Sequence, residues 1–261
     1  MDVSMLTPAQ ARSLIRQDQW NKPTSGMSNG YIQANLVVLP KALAYDFLLF
    51  CQRNPKPCPL LEVTNIGSPI PEIFAPEADL RTDLPEYYVY KKGELIQKCS
   101  SISDLWSESL IAFLIGCSFT FEEALVKNRI PIRHIEERKN VPMYNTSIRC
   151  QPAGEFQGSM VVSMRPIKKK DVIRAVQVTS RFPSVHGAPI HIGDPKSIGI
   201  SQLDEPDFGD PVTIKEDEVP VFWACGVTPQ AIAKDRKPDL MITHAPGHMF
   251  ITNERNEGYS V

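Results

Sequence analysis

The hydrophobic positions of this chain fall in short runs separated by proline-containing turns, a pattern that predicts short helices and strands. Pro8, preceded by the potential cap Thr7, predicts a first helix. Pro40 predicts the start of a second helix, which we expect to end before Asn54. The mostly apolar run Ala34–Leu39 predicts a buried strand in front of that second helix.

The middle of the chain contains two further candidate helices. The apolar segment 103–117 predicts a helix capped by Ser103 and ended by Gly116. Thr120–Glu123 fits a capping box and predicts a second, short helix that continues through Val126. The two helices would meet next to the glycine, where the free N–H groups at the start of the second helix would form an anion site.

Strand-like patterns predominate from Ile130 onward, and they suggest a separate unit. The predicted strands cover 132–135, 143–148, 159–165 and 188–192, with one helix over 168–181, and Val219–Cys225 is predicted as a central strand of the other unit. We therefore predict a mixed α/β fold with two α/β subdomains. The larger, discontinuous one takes residues 1–129 and 219–261 from both chain ends, and the smaller, inserted α+β one takes 130–218. No internal repeat is evident.

Composition narrows the class of protein. The 261 residues are 42% hydrophobic and 22% charged with a net charge of -2, as in ordinary globular proteins, which argues against a dedicated nucleic-acid binder. No apolar run approaches the roughly 20 residues of a bilayer span, and the N-terminus does not read as a signal peptide. None of the six cysteines has Cys-x-x-Cys spacing. Free thiols and a cytoplasmic location are therefore expected.

Two histidines and an aspartate fall close together in His186–Pro195. We predict that His191, oriented by Asp194, acts as a general acid or base, with His186 as a second candidate for proton transfer. The alternative interpretation is a hydrogen-bonded core histidine followed by an Asp-Pro turn.

Arginines at strand ends are candidates for binding a carboxylate. Arg165 follows an apolar run and suits bidentate binding, with Arg81 or Arg133 as a second cation. In the predicted strand 132–135, His134 and Glu136 would share one face. The alternative is an Arg165 that pairs with an acidic residue of the other subdomain.

Two cysteine-containing junctions supply the remaining candidates. Ser118 is predicted to stabilise an oxyanion, with Cys117 beside it, although helix capping and a buried cysteine would explain the same residues. Thr228 follows the strand that ends near Cys225, a geometry that favours ligand binding. Cys225 could be a nucleophile, but a buried cysteine before a capped helix is the simpler interpretation.

Familiar catalytic motifs do not occur. The chain has no Gly-x-Ser-x-Gly elbow, P-loop, Gly-x-Gly-x-x-Gly, His-Glu-x-x-His or EF-hand pattern. A serine hydrolase and a nucleotide-driven enzyme are therefore disfavoured, and we expect no cofactor and no metal.

Several of these segments resemble one family, which comprises bacterial proteins described as hydro-lyases and the N-terminal part of the animal mitochondrial D-glutamate cyclase. The resemblance extends over Gly26–Leu36, Asn54–Leu61, Arg81–Pro85, Phe113–Phe119, Asn140–Tyr144, Val162–Pro166, His186–Pro195, Pro220–Gln230 and Thr243–Gly247. It implies two α/β subdomains and a hydro-lyase, that is, a carbon–oxygen lyase, acting on a small amino or hydroxy carboxylic acid. Cyclisation of D-glutamate to 5-oxo-D-proline with loss of water is one such reaction.

Two other functions remain open from the sequence. One is a metal-dependent hydrolase that uses His186, His191 and His244. The other is a non-catalytic small-acid-binding or accessory subunit of oxoproline metabolism. For the hydro-lyase we expect a small carboxylate substrate and no nucleic-acid or membrane partner, and a homodimer is possible. We also expect all candidate residues to line one cleft between the two subdomains.

Overall fold

This computed structural model describes residues 2–260, which contain six α-helices and eleven strands. The helices are α1 (Pro8–Arg16), α2 (Lys41–Arg53), α3 (Phe119–Lys127), α4 (Arg133–Glu137), α5 (Val172–Ser180) and α6 (Val227–Asp235). The strands are β1 (Tyr31–Pro40), β2 (Leu60–Val63), β3 (Tyr87–Lys91), β4 (Glu94–Cys99), β5 (Leu110–Gly116), β6 (Met143–Arg149), β7 (Ser159–Lys168), β8 (His191–Ile192), β9 (Glu218–Ala224), β10 (Met241–His244) and β11 (Phe250–Arg255).

The strands form two antiparallel sheets. The first sheet has the order β2-β5-β1-β10-β3-β4, with β11 also paired to β1, and it takes strands from both ends of the chain. The second sheet, β6-β7-β9-β8, is inserted between them. This arrangement confirms the predicted mixed α/β fold with a discontinuous part. One strand differs from expectation, because β9 lies in the second sheet and not with the chain ends.

The two sheets share one core. Val37 of β1 and Phe113 of β5 belong to the same buried cluster as Met164 of β7 and Phe222 of β9. On its outer face the first sheet packs against the segment around Phe74–Leu84. The outer face of the second sheet is covered by helices α3 and α5. The division into units 1–129 with 219–261 and 130–218 therefore stays a prediction, since the core is continuous across it.

The buried strands β1, β7 and β9 and the cap of α1 are confirmed, whereas the capping box predicted at Thr120 does not form, since α3 begins at Phe119 without a side-chain cap. Thr7 and Gln10 form the predicted capping box of α1. Segment 110–116 is a strand and not a helix, because it lies between β1 and β2 and is buried on both faces. Such a continuous apolar run has no strand periodicity. Conversely, Arg133–Glu137 is a short helix and not a strand.

A structural repeat, which the sequence does not reveal, relates the two sheets. In the first sheet Ala34 of β1 lies opposite Gly116 at the end of β5, and helix α3 follows. In the second sheet Val162 of β7 lies opposite Ala224 at the end of β9, and helix α6 follows. A cysteine, Cys117 or Cys225, comes directly after each strand. Each sheet thus contains the same strand pair and the same strand-to-helix corner.

The threonine in the first turn of each of these helices performs the same task. The Oγ1 atom of Thr120 accepts a hydrogen bond from the backbone N–H of Gln33 in β1, at 3.3 Å. The Oγ1 atom of Thr228 accepts one from the N–H of Val161 in β7, at 2.9 Å. Both threonines stand three residues after the corner cysteine, so the two corners are equivalent in register as well as in shape.

Gly116 is the position in the β5–α3 corner where the absence of a side chain matters most. A Cβ atom there would lie 2.4 Å from the backbone oxygen of Ser184. We expect Gly116→Ala to lower the free energy of unfolding by about 1–3 kcal/mol, because the backbone of the 183–185 turn would have to move. Gly258→Ala, where no atom lies within 4 Å, is the matched control and should change little. Urea unfolding measures both; equal midpoints would contradict the close packing.

Candidate active site

A buried ion pair joins the two sheets beside the β5–α3 corner. Arg165 of β7, only 1% exposed, donates from Nε and Nη2 to Oε1 of Glu122 in α3, at 2.9 and 2.5 Å. Its Nη1 atom also donates to Oγ of Ser163 and its Nη2 atom to Oγ of Ser118, both at 3.0 Å. Four hydrogen bonds thus hold the guanidinium beside Glu122 and fix the position of that carboxylate.

Aromatic rings enclose this guanidinium. Arg165 lies over the ring of Phe121 at 5.3 Å and over that of Trp223 at 5.5 Å, both measured to the ring centroid. Such contacts favour a desolvated cation. They also keep water away from the ion pair, which strengthens its electrostatic attraction.

Glu122 contacts two basic side chains, the guanidinium of Arg165 and the imidazole of His134. The Nε2 atom of His134 lies 3.2 Å from Oε1 of Glu122, within ion-pair distance although not aligned for a hydrogen bond. Burial alone would raise the pKa of Glu122, but His134 and Arg165 outweigh it and hold the pKa at about 2. Glu122 is thus a carboxylate at neutral pH, able to orient an imidazolium or to bind a cation but not to donate a proton.

A cavity of about 240 Å³ adjoins this cluster. Its walls are the 26–31 loop in front of β1, together with Phe119, Glu122 and Glu123 of α3, and Asn256 near the C-terminus. Pockets that take drug-sized ligands are typically about 300–1,000 Å³, so this one suits a smaller molecule. The ionised carboxylate of Glu122 is part of its wall.

Gln33 of β1 holds the loop that closes one side of the cavity. Its Nε2 atom donates to the backbone oxygens of Thr24 and Met27, at 2.9 and 3.1 Å. The hydroxyl of Thr24 donates to Oε1 of Gln33 at 2.8 Å. The loop is therefore fixed by a buried side chain of the sheet and not by its own turns alone.

Comparison with known proteins identifies the family. The family model described as "D-glutamate cyclase" matches residues 111–253. A protein named "Putative hydro-lyase" from Geobacillus kaustophilus is 67% identical over 98% of this chain and 97% of its own length. Relatives with the same description from Bacillus licheniformis and Bacillus subtilis are 61% and 60% identical, over 100% and 98% of this chain and 100% of their own lengths. The chain belongs to the D-glutamate cyclase family.

One solved structure also aligns with most of the chain. It is a nitrogen repressor-like protein from Methanococcus jannaschii, with 9% sequence identity and a TM-score of 0.40 over 96% of this chain and 99% of its own.

The structure brings together some of the predicted site residues of this D-glutamate cyclase family member. Arg165 and Ser118 are in contact, as expected of one site. Cys117 follows directly at the same corner, but burial raises the pKa of its thiol, which is therefore protonated. Burial likewise raises the pKa of Cys225 to about 11, so neither corner cysteine is an activated nucleophile.

His191 and Asp194 lie elsewhere, so the expected single cleft for all candidates is wrong. His191 stands opposite Phe222 in the register of β9, whereas Arg165 stands opposite Val221, which places the two side chains on opposite faces of the second sheet. Nε2 of His191 lies 2.8 Å from the backbone oxygen of Asp194, whose carboxylate instead caps the next turn through the N–H of Lys196. Any catalytic role of this pair stays a prediction.

The other two arginines are occupied by local ion pairs. Arg81 pairs with Asp79 at 2.7 Å, at the surface of the 64–86 segment. Arg133 pairs with Glu218 at 2.6 Å and so attaches α4 to the start of β9. Both have structural partners, and the structure places neither in the cluster around Arg165.

Thr228 and His186 are buried structural neighbours of the corners. Thr228 accepts from the N–H of Val161 and donates to its oxygen, as described for the repeat. Nδ1 of His186 lies 2.9 Å from the backbone oxygen of Lys56, and burial lowers the pKa of this imidazole to about 4. His186 is thus neutral at pH 7.

The sequence does not indicate a pairing of Glu122 with His134. Its pattern predicts a capping box that contains Glu122, and a strand in which His134 shares a face with Glu136. In the helix that actually forms, Glu136 pairs with Arg133, and His134 faces α3. One signal for this pair is present in the sequence: Glu122 falls on the apolar face of α3, and a buried carboxylate requires a partner.

Residues 2–260 contain no group of three histidine, cysteine or acidic side chains arranged to hold a metal ion, and His186, His191 and His244 are not gathered in one place. Over the same residues no helix has both the length and the apolarity needed to cross a bilayer.

Two buried neutral histidines should make the fold sensitive to mild acid. Burial lowers the pKa from 6.5 to about 4 in His186 and to about 3 in His244. As the pH falls below 6.5, the unfolded chain binds a proton at each site that the folded chain does not, so stability decreases. By pH 5 the loss should be about 2 kcal/mol per histidine.

Urea unfolding at pH 7 and pH 5 measures this loss. His244→Asn should reduce the difference between the two pH values, whatever it does to stability at pH 7. Gly258→Ala, which removes no titratable group and meets no neighbouring atom, is the control and should leave the difference as in the wild type. An unchanged difference in His244→Asn would contradict a neutral buried imidazole.

Proposed function

We propose that this protein is a hydro-lyase acting on a small amino or hydroxy carboxylic acid, with cyclisation of D-glutamate to 5-oxo-D-proline as the specific reaction. Membership of the D-glutamate cyclase family supports the reaction class. The observation that carries the proposal is the ionised Glu122, held by Arg165 and His134 at the wall of a cavity sized for a small molecule.

Cyclisation of glutamate requires proton movement but no net proton exchange. The amine nitrogen attacks the γ-carboxyl carbon, a C–N bond forms, and a C–O bond breaks. The nitrogen loses two protons, and the departing oxygen gains two and leaves as water. A site that holds the chain folded back and passes protons from nitrogen to oxygen therefore supplies what the reaction needs.

The cluster offers groups for both tasks. The carboxylate of Glu122 binds the ammonium and lowers the cost of forming an imidazolium at His134, which carries the proton. Arg165 keeps Glu122 ionised and in position, with Ser118 attached to the same guanidinium. Arg165 thus acts through Glu122, in place of the direct substrate contact expected from the sequence.

The remaining expectations belong to the same proposal. A cytoplasmic location agrees with six free cysteines, which a reducing compartment maintains. Catalysis by side chains alone, without cofactor or metal, is sufficient for the proton transfers above.

Proton NMR of the purified protein with D-glutamate, L-glutamate, 5-oxo-D-proline and D-2-hydroxyglutarate tests the reaction. We expect conversion between D-glutamate and 5-oxo-D-proline and none of L-glutamate. Saturable binding without turnover would instead favour the small-acid-binding subunit. Turnover of the hydroxy acid alone would retain the hydro-lyase class and replace the substrate.

Two histidine variants decide which imidazole carries the proton. His134→Asn should lower turnover about 100-fold or more, because it removes the proton carrier next to Glu122. His191→Asn should retain turnover if the site is the cavity described here. Rates are compared at a temperature well below the melting temperature of each variant. Loss of activity in His191→Asn alone would reinstate the site predicted from the sequence.

A further inference from the structure

Ser28 is a strained and unsatisfied residue in the wall of the cavity. Its φ is 50°, a left-handed conformation that few serines adopt. Its side chain is buried, with 1% of the residue exposed, and its Oγ atom has no hydrogen-bond partner. Both features lower the stability of the fold, and a glycine at this position would have neither the backbone strain nor the unsatisfied hydroxyl.

The surrounding backbone forces this conformation. The N–H of Ser28 donates to the oxygen of Val3 at 3.0 Å, and its own oxygen accepts from the N–H of Tyr31 at 3.2 Å. The next N–H, that of Asn29, donates to the oxygen of Ser4 at 2.9 Å. The strain is thus imposed by the fold, but nothing in these contacts requires a hydroxyl at this position.

Asn256, across the cavity, carries a second unsatisfied atom. Its Nδ2 atom donates to the backbone oxygen of Thr120 at 3.0 Å, which fixes the orientation of the amide. Its Oδ1 atom is buried without a partner. The carboxylates of Glu122 and Glu123 belong to the same wall, and Glu123 also pairs with Lys127 at 3.0 Å.

A cation lies at the rim of the same cavity. The guanidinium of Arg255 stacks over the ring of Tyr31 at 4.1 Å and lies close to Gly30, both of which line the cavity. Arg255 forms no ion pair with the residues described, so its charge is available to a ligand.

We propose that this cavity receives the amine end of an amino acid. The ammonium donates to Oδ1 of Asn256, to Oγ of Ser28 and to Glu122, and a carboxylate of the ligand pairs with Arg255. The proposal rests on the proposed function for the identity of the reaction. What it adds is that Ser28 and Asn256 recognise the amine of the ligand, so Ser28 should favour binding while it lowers the stability of the fold.

Ser28→Gly separates recognition from folding. The glycine removes the strain and the unsatisfied hydroxyl, so the melting temperature should rise by about 2–4 °C. The dissociation constant for D-glutamate should rise at least about tenfold, because a hydrogen bond to a charged group is lost. Asp18→Gly is the matched control, since Asp18 also has a positive φ, of 56°, but is exposed and outside the cavity wall. It should stabilise the fold without changing binding.

Saturation-transfer NMR supplies the binding measurement, with D-glutamate and D-2-hydroxyglutarate as probes. Tighter binding of the amine than of the hydroxy acid, with the preference reduced in Ser28→Gly, supports the proposal even if no turnover occurs. Unchanged D-glutamate binding in Ser28→Gly would overturn it while leaving a turnover-competent hydro-lyase intact. Failure of the wild type to bind D-glutamate, or equal binding of both probes, would also overturn it.

Discussion

The buried ion pair between Arg165 and Glu122 is the constraint on which the site depends. Placing both charges out of water costs several kcal/mol per ion, and their attraction only about offsets that cost. In other proteins, replacing a buried ion pair by well-packed apolar residues is often neutral or stabilising. Cohesion alone therefore does not account for the pair, which also produces a carboxylate that stays ionised in an apolar setting, beside a cavity and an imidazole.

The equivalent corner of the repeat, between β9 and α6, has no such ion pair. Gln230 of α6 occupies the position equivalent to Glu122, and its Nε2 atom lies 2.7 Å from Nδ1 of His244 in β10. The amide is uncharged, and burial lowers the pKa of His244 to about 3. One corner thus holds charges and the other holds a neutral hydrogen-bonded pair. The two corners therefore differ in charge although their backbones correspond.

Parts of this arrangement follow from sequence and parts do not. Capped helices, the mixed class and the contact of Arg165 with Ser118 could be predicted, since caps and strand ends have local signatures. The strand at β5 could not, because a run buried on both faces has no period to read. The His134–Glu122 pair could not be predicted either, because only the tertiary fold brings their two segments together. Closeness in sequence did not place His186 next to His191, because His186 ends a separate turn near Lys56 whereas His191 belongs to the short strand β8.

Several features that lower the stability of the fold lie around one cavity: a strained residue, unpaired polar atoms and a buried charge. Of the six buried side-chain atoms without hydrogen-bond partners in residues 2–260, three belong to Ser28, His134 and Asn256, which line the cavity or contact its wall. The other three belong to Glu137, His186 and Arg236 and lie apart from one another along the chain. A chain selected for stability alone would have no reason to place strain, an unpaired amide oxygen and a buried charge together. Their coincidence is what a site shaped for a ligand requires, because each cost is recovered when the ligand supplies the missing partner.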